Sequence, residues 1–176
     1  NIFVPQTIPE ALREYEEAGT LEKLYENGIL SGYRVETHGE NGELDSVQIF
    51  DTAGNSIRNE LYNSDGTLLG YVLYEYDVTG YCKRVDQYDN TGMIYSAYEL
   101  DSDGNEVKRE IYTDGRLTQT WITEYDDAGN MVQSEVYIGG TLRYVNEYDQ
   151  AGNLIRIESY DDNGDLFGYG LYEYDS

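Results

Sequence analysis

Residues 65–77 read Asp-Gly-Thr-Leu-Leu-Gly-Tyr-Val-Leu-Tyr-Glu-Tyr-Asp, and residues 163–175 read Asn-Gly-Asp-Leu-Phe-Gly-Tyr-Gly-Leu-Tyr-Glu-Tyr-Asp. A third copy occupies residues 114–126, and all three close on Glu-Tyr-Asp. Successive copies align without gaps at an offset of 49 residues. Self-similarity at a fixed spacing is the signature of a repeat architecture. The sequence therefore predicts a fold built from tandem units.

Glycines divide the chain more finely, at intervals of 11 to 14 residues, and alternate glycines end an Asp-x-x-Gly tetrapeptide. Asp at the first position of a type I turn accepts backbone N–H bonds, and Gly at the fourth position adopts the left-handed conformation of a G1 bulge. We predict five such structural turns, at Asp51 and Gly54, Asp77 and Gly80, Asp101 and Gly104, Asp126 and Gly129, and Asp149 and Gly152.

The segments between the turns are six to nine residues long and rich in Tyr, Val, Ile and Thr, which favour strands. One unit of about 24 residues then holds two strands and two turns. The predicted fold is all-β: tandem antiparallel β-hairpins in an elongated twisted or spiralling sheet of about 12–14 strands, spanning residues 28–176. Both faces of the segment 68–76 carry large apolar groups. Either the sheet curls around an interior or something else covers its second face.

The N-terminal segment, residues 1–27, allows two interpretations. Thr7 and Glu10 match a capping box with Pro9 near the helix start, which predicts a short helix over residues 8–18. Residues 14–21 also match residues 147–154 in residue type, which favours a degenerate first hairpin. Both alternatives stay open on the sequence.

Composition limits the classes of partner. The net charge of −24 excludes nucleic acid, because phosphate binding needs a basic surface, and it disfavours anionic lipid. No apolar run is long enough to insert this segment into a membrane. Basic proteins and uncharged glycans remain compatible with the charge. The 20 tyrosines predict a thin core with hydroxyl groups at its wet rim.

Catalytic and metal chemistry lack a sequence signature. His38 is the one histidine and lies in a predicted turn, and Cys82 has no second cysteine to pair with. No P-loop, Gly-x-Ser-x-Gly or His-Glu-x-x-His motif occurs. Turns on one sheet edge lie about 10 Å apart, so a calcium ion with ligands at about 2.4 Å cannot join two of them. We predict a protein that is not an enzyme, with no metal site and no cofactor.

Aromatic residues are the candidate ligand-binding groups. Columns of tyrosine near the Glu-Tyr-Asp motif, together with the single tryptophan, could form a stacking surface for sugars. The alternative is that the same rings form the core of a thin sheet. The candidate residues are Tyr74, Tyr76, Trp121, Tyr125, Tyr172 and Tyr174.

The stretch from Glu147-Tyr-Asp-Gln-Ala-Gly-Asn-Leu-Ile-Arg156 to Tyr172-Glu-Tyr-Asp175 resembles the YD repeat of bacterial RHS-type proteins. The likeness extends over roughly residues 28–176, and MORN-type hairpin repeats are a second, weaker resemblance. The units here are near 24 rather than about 20 residues long, and no toxin module is visible. The resemblance implies a β-sheet strip or shell and a surface location; it does not imply toxicity.

Together these features predict a non-catalytic surface or secreted repeat module that acts as a protein-interaction or spacer scaffold. The alternative is a glycan-binding or cell-wall-binding module that uses the tyrosine columns. The expected location is extracellular or on a bacterial cell surface, and a removed N-terminal segment could supply an anchor. The partner, a protein or a glycan, has no signature in the sequence.

Overall fold

The computed structural model describes residues 7–174 and is all-β apart from one short helical segment near the N-terminus. Thirteen antiparallel strands form one open sheet whose strand order is the order of the chain. This confirms the predicted array of antiparallel hairpins. The strands are β1 (Leu21–Glu26), β2 (Ile29–His38), β3 (Leu44–Phe50), β4 (Ser56–Tyr62), β5 (Leu68–Tyr76), β6 (Cys82–Asp89), β7 (Ile94–Leu100), β8 (Glu106–Thr113), β9 (Arg116–Tyr125), β10 (Met131–Ile138), β11 (Thr141–Tyr148), β12 (Leu154–Tyr160) and β13 (Leu166–Leu171).

Chain contacts group the described residues into two compact units. The first unit comprises residues 7–75 with Gln87–Gly92, and the second comprises Tyr76–Asp86 with residues 93–174. Strands β1 to β4 lie within the first unit, and β7 to β13 lie within the second.

A short helix covers one side of the sheet in the first unit. A 3-10 turn at Glu10–Leu12 continues into helix α1, Arg13–Glu17, and β1 follows it. Leu12 is 1% exposed and belongs to a cluster with Tyr33, Val35 and Phe50. The helix interpretation of residues 8–18 is therefore correct, although the capping box at Thr7 is not formed, because Pro9 is the N-cap and makes no side-chain cap bond. Burial of Leu12, rather than capping, holds the helix in place.

The Asp-x-x-Gly segments form tight turns closed by their own side chains. In the turn at Asp126, the Gly129 N–H donates to the Asp126 carbonyl at 2.9 Å. One carboxylate oxygen of Asp126 accepts the N–H groups of Ala128 and Asn130, each at 2.9 Å. Gly129 has φ +82, and the β9–β10 register shifts beside it. These are the features of a type I turn with a G1 bulge.

Replacing Gly129 with Val should lower the free energy of unfolding by about 1–3 kcal/mol, because a β-branched residue is strained at positive φ. A Cβ atom at Gly129 would meet nothing within 4 Å, so the loss of stability would come from backbone strain and not from a steric clash. Urea unfolding followed by circular dichroism measures the change. Ala128→Val, in the same turn, is the control. Equal stability of the two variants would contradict the turn assignment.

Acid should destabilise the protein through these turns. The side-chain amide of Asn130, followed by its backbone N–H, holds the pKa of Asp126 below its ordinary value. The pKa is likewise lowered at Asp65, Asp77, Asp101, Asp149 and Asp161. The unfolded pKa of Asp is about 3.9. When the folded pKa lies below it, ionisation of the group stabilises the folded chain above about pH 3.9, and this stabilisation is lost as the pH falls through the folded pKa. We expect the melting temperature to drop progressively below about pH 4. A melting temperature that is unchanged between pH 5 and pH 2 would contradict this.

Candidate binding surface

Side chains in the second unit alternate between two sides of the sheet. Lys108 of β8 pairs with Ile122 of β9, and Arg109 pairs with Trp121. Successive residues of a strand point to opposite faces. Lys108 therefore lies on one side, here called the ion-pair side, and Trp121 lies on the other, here called the Trp121 side.

The ion-pair side carries a charge network that crosses β6, β7 and β8. Lys108 contacts Glu110 at 2.9 Å and Glu99 at 3.0 Å. Arg84 contacts Asp86 at 2.8 Å, Glu99 at 3.2 Å and Glu110 at 3.4 Å. Burial alone would raise the pKa of Glu110, yet the bonds from Lys108 and Tyr112 outweigh it and leave that pKa below its ordinary value. These charged groups are engaged with one another and hold neighbouring strands together.

The network belongs to a sequence pattern that recurs on alternate strands, in which a basic residue, an acidic residue and a tyrosine are spaced by two. Four strands carry the full pattern: Arg58, Glu60 and Tyr62 on β4; Arg84, Asp86 and Tyr88 on β6; Lys108, Glu110 and Tyr112 on β8; Arg156, Glu158 and Tyr160 on β12. Two strands vary it: Arg34, Glu36 and His38 on β2; Gln133, Glu135 and Tyr137 on β10.

Each tyrosine of this pattern for which a bond is resolved donates its hydroxyl to the acid two residues before it. The O–O distances are 2.6 Å for Tyr62 to Glu60 and 2.6 Å for Tyr160 to Glu158. The pattern thus explains why acids and tyrosines are both abundant. The pattern recurs at the hairpin spacing and is visible in the sequence, but it was not predicted.

The Trp121 side presents an apolar strip across β9 to β12. Trp121 pairs with Val136, and Val136 pairs with Tyr144. Trp121 and Tyr144 are 40% and 42% exposed. An open cavity of about 370 Å³ lies here, lined by Gln119, Trp121, Val136, Ile138, Tyr144, Asn146 and Ile157.

A second open cavity, of about 400 Å³, lies on the other flank of Trp121. Its lining residues are Glu106, Arg109, Trp121, Thr123, Tyr125, Met131, Ser134 and Tyr148. The Arg109 guanidinium contacts the Glu106 carboxylate at 2.8 Å and lies 4.9 Å from the ring centre of Tyr98. Asn146 donates to the Ser134 hydroxyl at 3.1 Å. Trp121 therefore separates an apolar cavity from a more polar one.

Two of the six aromatic residues proposed from the sequence are brought together on this side. Trp121 and Tyr125 line the same cavity, and the Tyr125 hydroxyl donates to the Glu106 carbonyl at 3.1 Å. Tyr174 makes the corresponding bond to the Leu154 carbonyl at 2.9 Å, which is a link to the preceding strand.

The other three proposed aromatics lie outside these cavities. Tyr172 follows β13 and is 45% exposed. Tyr74 and Tyr76 are half-buried on β5, with Tyr74 in the first unit. The sequence did not indicate Val136, Tyr144 or Asn146, because their approach to Trp121 depends on strand register.

The described residues offer no assembled metal centre and no helix that could cross a membrane. Within residues 7–174, no three His, Cys, Asp or Glu side chains are grouped so that they could hold a metal ion. In the acidic turn at Asp101, one carboxylate oxygen of Asp101 accepts the N–H groups of Asp103 at 2.9 Å and of Asn105 at 2.8 Å, so the turn itself uses this oxygen. Over the same range, no helix has the length and apolarity needed to span a bilayer.

Comparison with known proteins gives no match to a family model or to a curated protein. Among solved structures, TcdB2-TccC3-TEV is 12% identical with a TM-score of 0.31, covering 88% of this chain and 12% of that chain. TcdB2-TccC3-Cdc42 is 12% identical with a TM-score of 0.14, covering 88% of this chain and 14% of that one. A protein of unknown function from Bacteroides fragilis NCTC 9343 is 14% identical with a TM-score of 0.19, and the match covers 79% of this chain and 91% of that chain.

The overlaps carry no argument, because all three TM-scores lie below 0.5. The chain spans only a small part of the first two proteins. Membership of the RHS-type proteins stays a prediction.

Proposed function

We propose that this chain is a non-catalytic interaction module that binds a partner protein through the Trp121 side of its second unit. The observation that carries the proposal is the position of Trp121, 40% exposed between two open cavities in a chain of net charge −24. An exposed apolar patch rimmed by polar groups is typical of a docking surface. The titratable groups of the ion-pair side are engaged in the sheet's own bonds, which favours binding over catalysis.

The composition of the surface matches that of protein interfaces. Binding energy concentrates at Trp, Tyr and Arg side chains near the centre of an interface, and here Trp121 is flanked by Tyr144 and Arg109. Ile138, which is 43% exposed, and Ile157 supply aliphatic contact area in the apolar cavity. The negative charge of the chain would attract a basic partner and accelerate its encounter. The expected partner therefore presents an apolar side chain beside Lys or Arg.

Trp121→Ala should weaken binding by about 30-fold or more, because it removes a central aromatic group. Panning a random peptide library on the full chain would supply ligands. The fluorescence anisotropy of the labelled peptides measures their affinity for every variant, including Trp121→Ala, which lacks the single tryptophan. Tyr95→Ala, which removes a similarly exposed ring from β7, is the matched control and should bind as the wild type does. Ligands that bind the Trp121→Ala variant with full affinity would refute the proposal.

A glycan is the second candidate ligand. Asn146 and Tyr148 each line one of the two cavities that share Trp121, and both are bonded to the buried Ser134 hydroxyl. Sugars combine stacking on an aromatic ring with polar contacts at their edges. A glycan array probed with wild-type chain and with Trp121→Ala separates the two. Glycan binding that the substitution abolishes, without selected peptides, would favour this alternative.

We also propose that the module acts at a bacterial cell surface or outside the cell, as its resemblance to RHS-type repeats implies. Labelling of intact cells with a membrane-impermeant lysine reagent tests the location. Labelling only after cell lysis would contradict it.

A further inference from the structure

In the first unit, a helical segment packs on the side of the sheet opposite the basic-acid-tyrosine pattern. Tyr33, Val35 and Phe50, here called the helix contact site, lie on that side, and Leu12 of the N-terminal segment packs on them. The apolar residues of this segment are spaced by four and three positions, which is the spacing by which an amphipathic helix anchors in a groove. They are Ile8, Leu12 and Tyr15.

The second unit has a corresponding site on its Trp121 side. Phe50 and Tyr148 each directly precede an Asp-x-x-Gly turn. The residue two positions before them pairs with Val35 in the first unit and with Ser134 in the second. Tyr148 and Ser134 therefore occupy the positions of Phe50 and Val35. Both line the open cavity of about 400 Å³ beside Trp121.

The turn next to the helix contact site is covered in the first unit, whereas the corresponding turns in the second unit are open. A Cβ atom at Gly54 would lie 2.7 Å from the Pro9 Cβ and 3.9 Å from the Leu12 Cγ. At Gly129 and Gly152, which end the corresponding turns, a Cβ atom would meet nothing within 4 Å. Among residues 7–174, none takes the place of Pro9 beside these two turns.

The site in the second unit is more polar than the helix contact site, but its buried hydroxyl is already bonded. Ser134 is 4% exposed, and its hydroxyl accepts from the Asn146 amide at 3.1 Å and lies 3.4 Å from the Tyr148 hydroxyl. An apolar side chain can therefore enter the cavity without leaving this hydroxyl unpaired. Trp121 and Met131 supply apolar walls.

Acidic side chains beside the cavity determine which charge its occupant should carry. A neighbouring notch shares Thr123 and Tyr125 with the cavity, and its described lining contains five acids and no basic residue. Arg109, in the cavity itself, is paired with Glu106 at 2.8 Å. A helix with Lys or Arg beside its apolar anchors complements this charge, whereas an acidic helix is repelled. The five acids are Asp101, Asp103, Glu124, Asp126 and Asp127.

Building on the function proposed for the Trp121 side, we propose that this side binds a basic amphipathic helix of a partner protein. The helix would pack on Ser134 and Tyr148 as the N-terminal segment packs on Val35 and Phe50. One apolar anchor would enter the cavity beside Trp121, and its Lys or Arg side chains would lie over the acidic notch. The partner is thus defined by the spacing of its apolar residues and by its positive charge.

A labelled peptide based on the N-terminal segment tests the proposal against the full chain by fluorescence anisotropy. The peptide comprises residues 7–19 with its four glutamates replaced by Lys, which keeps the apolar spacing and reverses the charge. We expect saturable binding, and a loss of about tenfold or more for Trp121→Ala, because the central aromatic ring is removed. Tyr95→Ala should bind as the wild type does. Urea unfolding establishes that each variant is folded.

Further variants separate the contribution of the helix from that of the charge. Glu14→Pro in the Lys peptide keeps the apolar anchors but breaks the helix, so its affinity should fall about tenfold or more. The unmodified acidic segment should bind about tenfold more weakly or less well still. On the chain, Asp103→Asn with Asp127→Asn should weaken binding of the Lys peptide about threefold or more. Glu26→Gln with Glu40→Gln, at exposed acids of the first unit, is the matched control and should leave it unchanged.

Failure of the helix proposal is distinct from failure of the function proposed for the Trp121 side. If the Lys peptide does not bind up to about 1 mM chain, or if the Pro-containing peptide binds equally well, the partner is not a helix. Equal binding of the acidic segment and the Lys peptide would likewise overturn the proposed basic partner. In these cases peptides selected from the random library would still require Trp121. If neither the selected peptides nor the Lys peptide requires Trp121, both proposals are wrong.

Discussion

Replacing Tyr33 with Ala should lower the free energy of unfolding by about 3–5 kcal/mol, the range for removing a large buried aromatic side chain. Tyr33 is 1% exposed and packs with Leu12, Val35 and Phe50 in the cluster under helix α1. The first unit has few fully buried side chains, so the loss of one ring removes a large part of its core. Urea unfolding followed by circular dichroism measures the change.

Tyr25→Ala is the matched control for this prediction. Tyr25 lies on β1 and is 62% exposed, so its removal should change the free energy of unfolding by less than about 0.5 kcal/mol. The same effect for both variants would mean that the helix does not seal this side of the sheet. An effect confined to Tyr33 would show that the sheet of the first unit is stabilised by packing against the N-terminal helical segment, which lies outside the hairpin repeats.

The sequence was sufficient to predict the hairpin array, because its turns carry local chemistry. An Asp whose carboxylate can accept N–H bonds, three residues before a glycine, specifies a bend without help from the rest of the chain. Asp126 and Gly129 illustrate this, since the bonds of that turn span at most four residues. Once the turns are placed, the segments between them must be the strands.

The candidate surface was harder to predict, because it depends on register between strands. Trp121 stood out as the single tryptophan, yet Val136 and Tyr144 join it only through the pairing of β9, β10 and β11. The bulge beside each turn shifts that pairing by a residue, so counting along the sequence does not give the cross-strand neighbours. The sequence did not predict what packs against the second face of the sheet for a similar reason. The packing of Leu12 on Tyr33 is a tertiary contact, and no local sequence pattern indicates it.

The pattern of basic residue, acid and tyrosine was missed for a different reason. A high number of acidic residues is usually interpreted as a solvated, charged surface. In this chain, however, the side chains of Glu60, Glu110 and Glu158 are each less than 20% exposed. Each accepts bonds from a cation and from a tyrosine of its own strand. Spacing by two residues within a strand places all three groups on one side. The acids of this chain therefore serve two roles, in turns and in ion pairs.

Replacing Glu110 with Ala should lower the free energy of unfolding by about 2 kcal/mol, between the value for an exposed ion pair and that for a buried one, because Lys108 and Arg84 are partly exposed. Its side chain is 13% exposed and contacts Lys108 at 2.9 Å, Arg84 at 3.4 Å and the Tyr112 hydroxyl at 3.0 Å. The variant leaves two cations and a hydroxyl without this acceptor. Glu124→Ala, at an exposed acid on β9, is the control and should change stability by less than about 0.5 kcal/mol.

The pH dependence of this Glu110→Ala effect gives a second, independent check. The pKa of Glu110 lies below its ordinary value in the folded chain, so its contribution to stability is present above the unfolded pKa of about 4.3 and is lost as the pH falls through the folded pKa. The difference between wild type and Glu110→Ala should therefore shrink on acidification from pH 7 to pH 3, measured as the gap between their urea midpoints. A gap that stays constant would assign the loss to packing of the side chain and not to its charge, because burial of the methylene groups does not titrate.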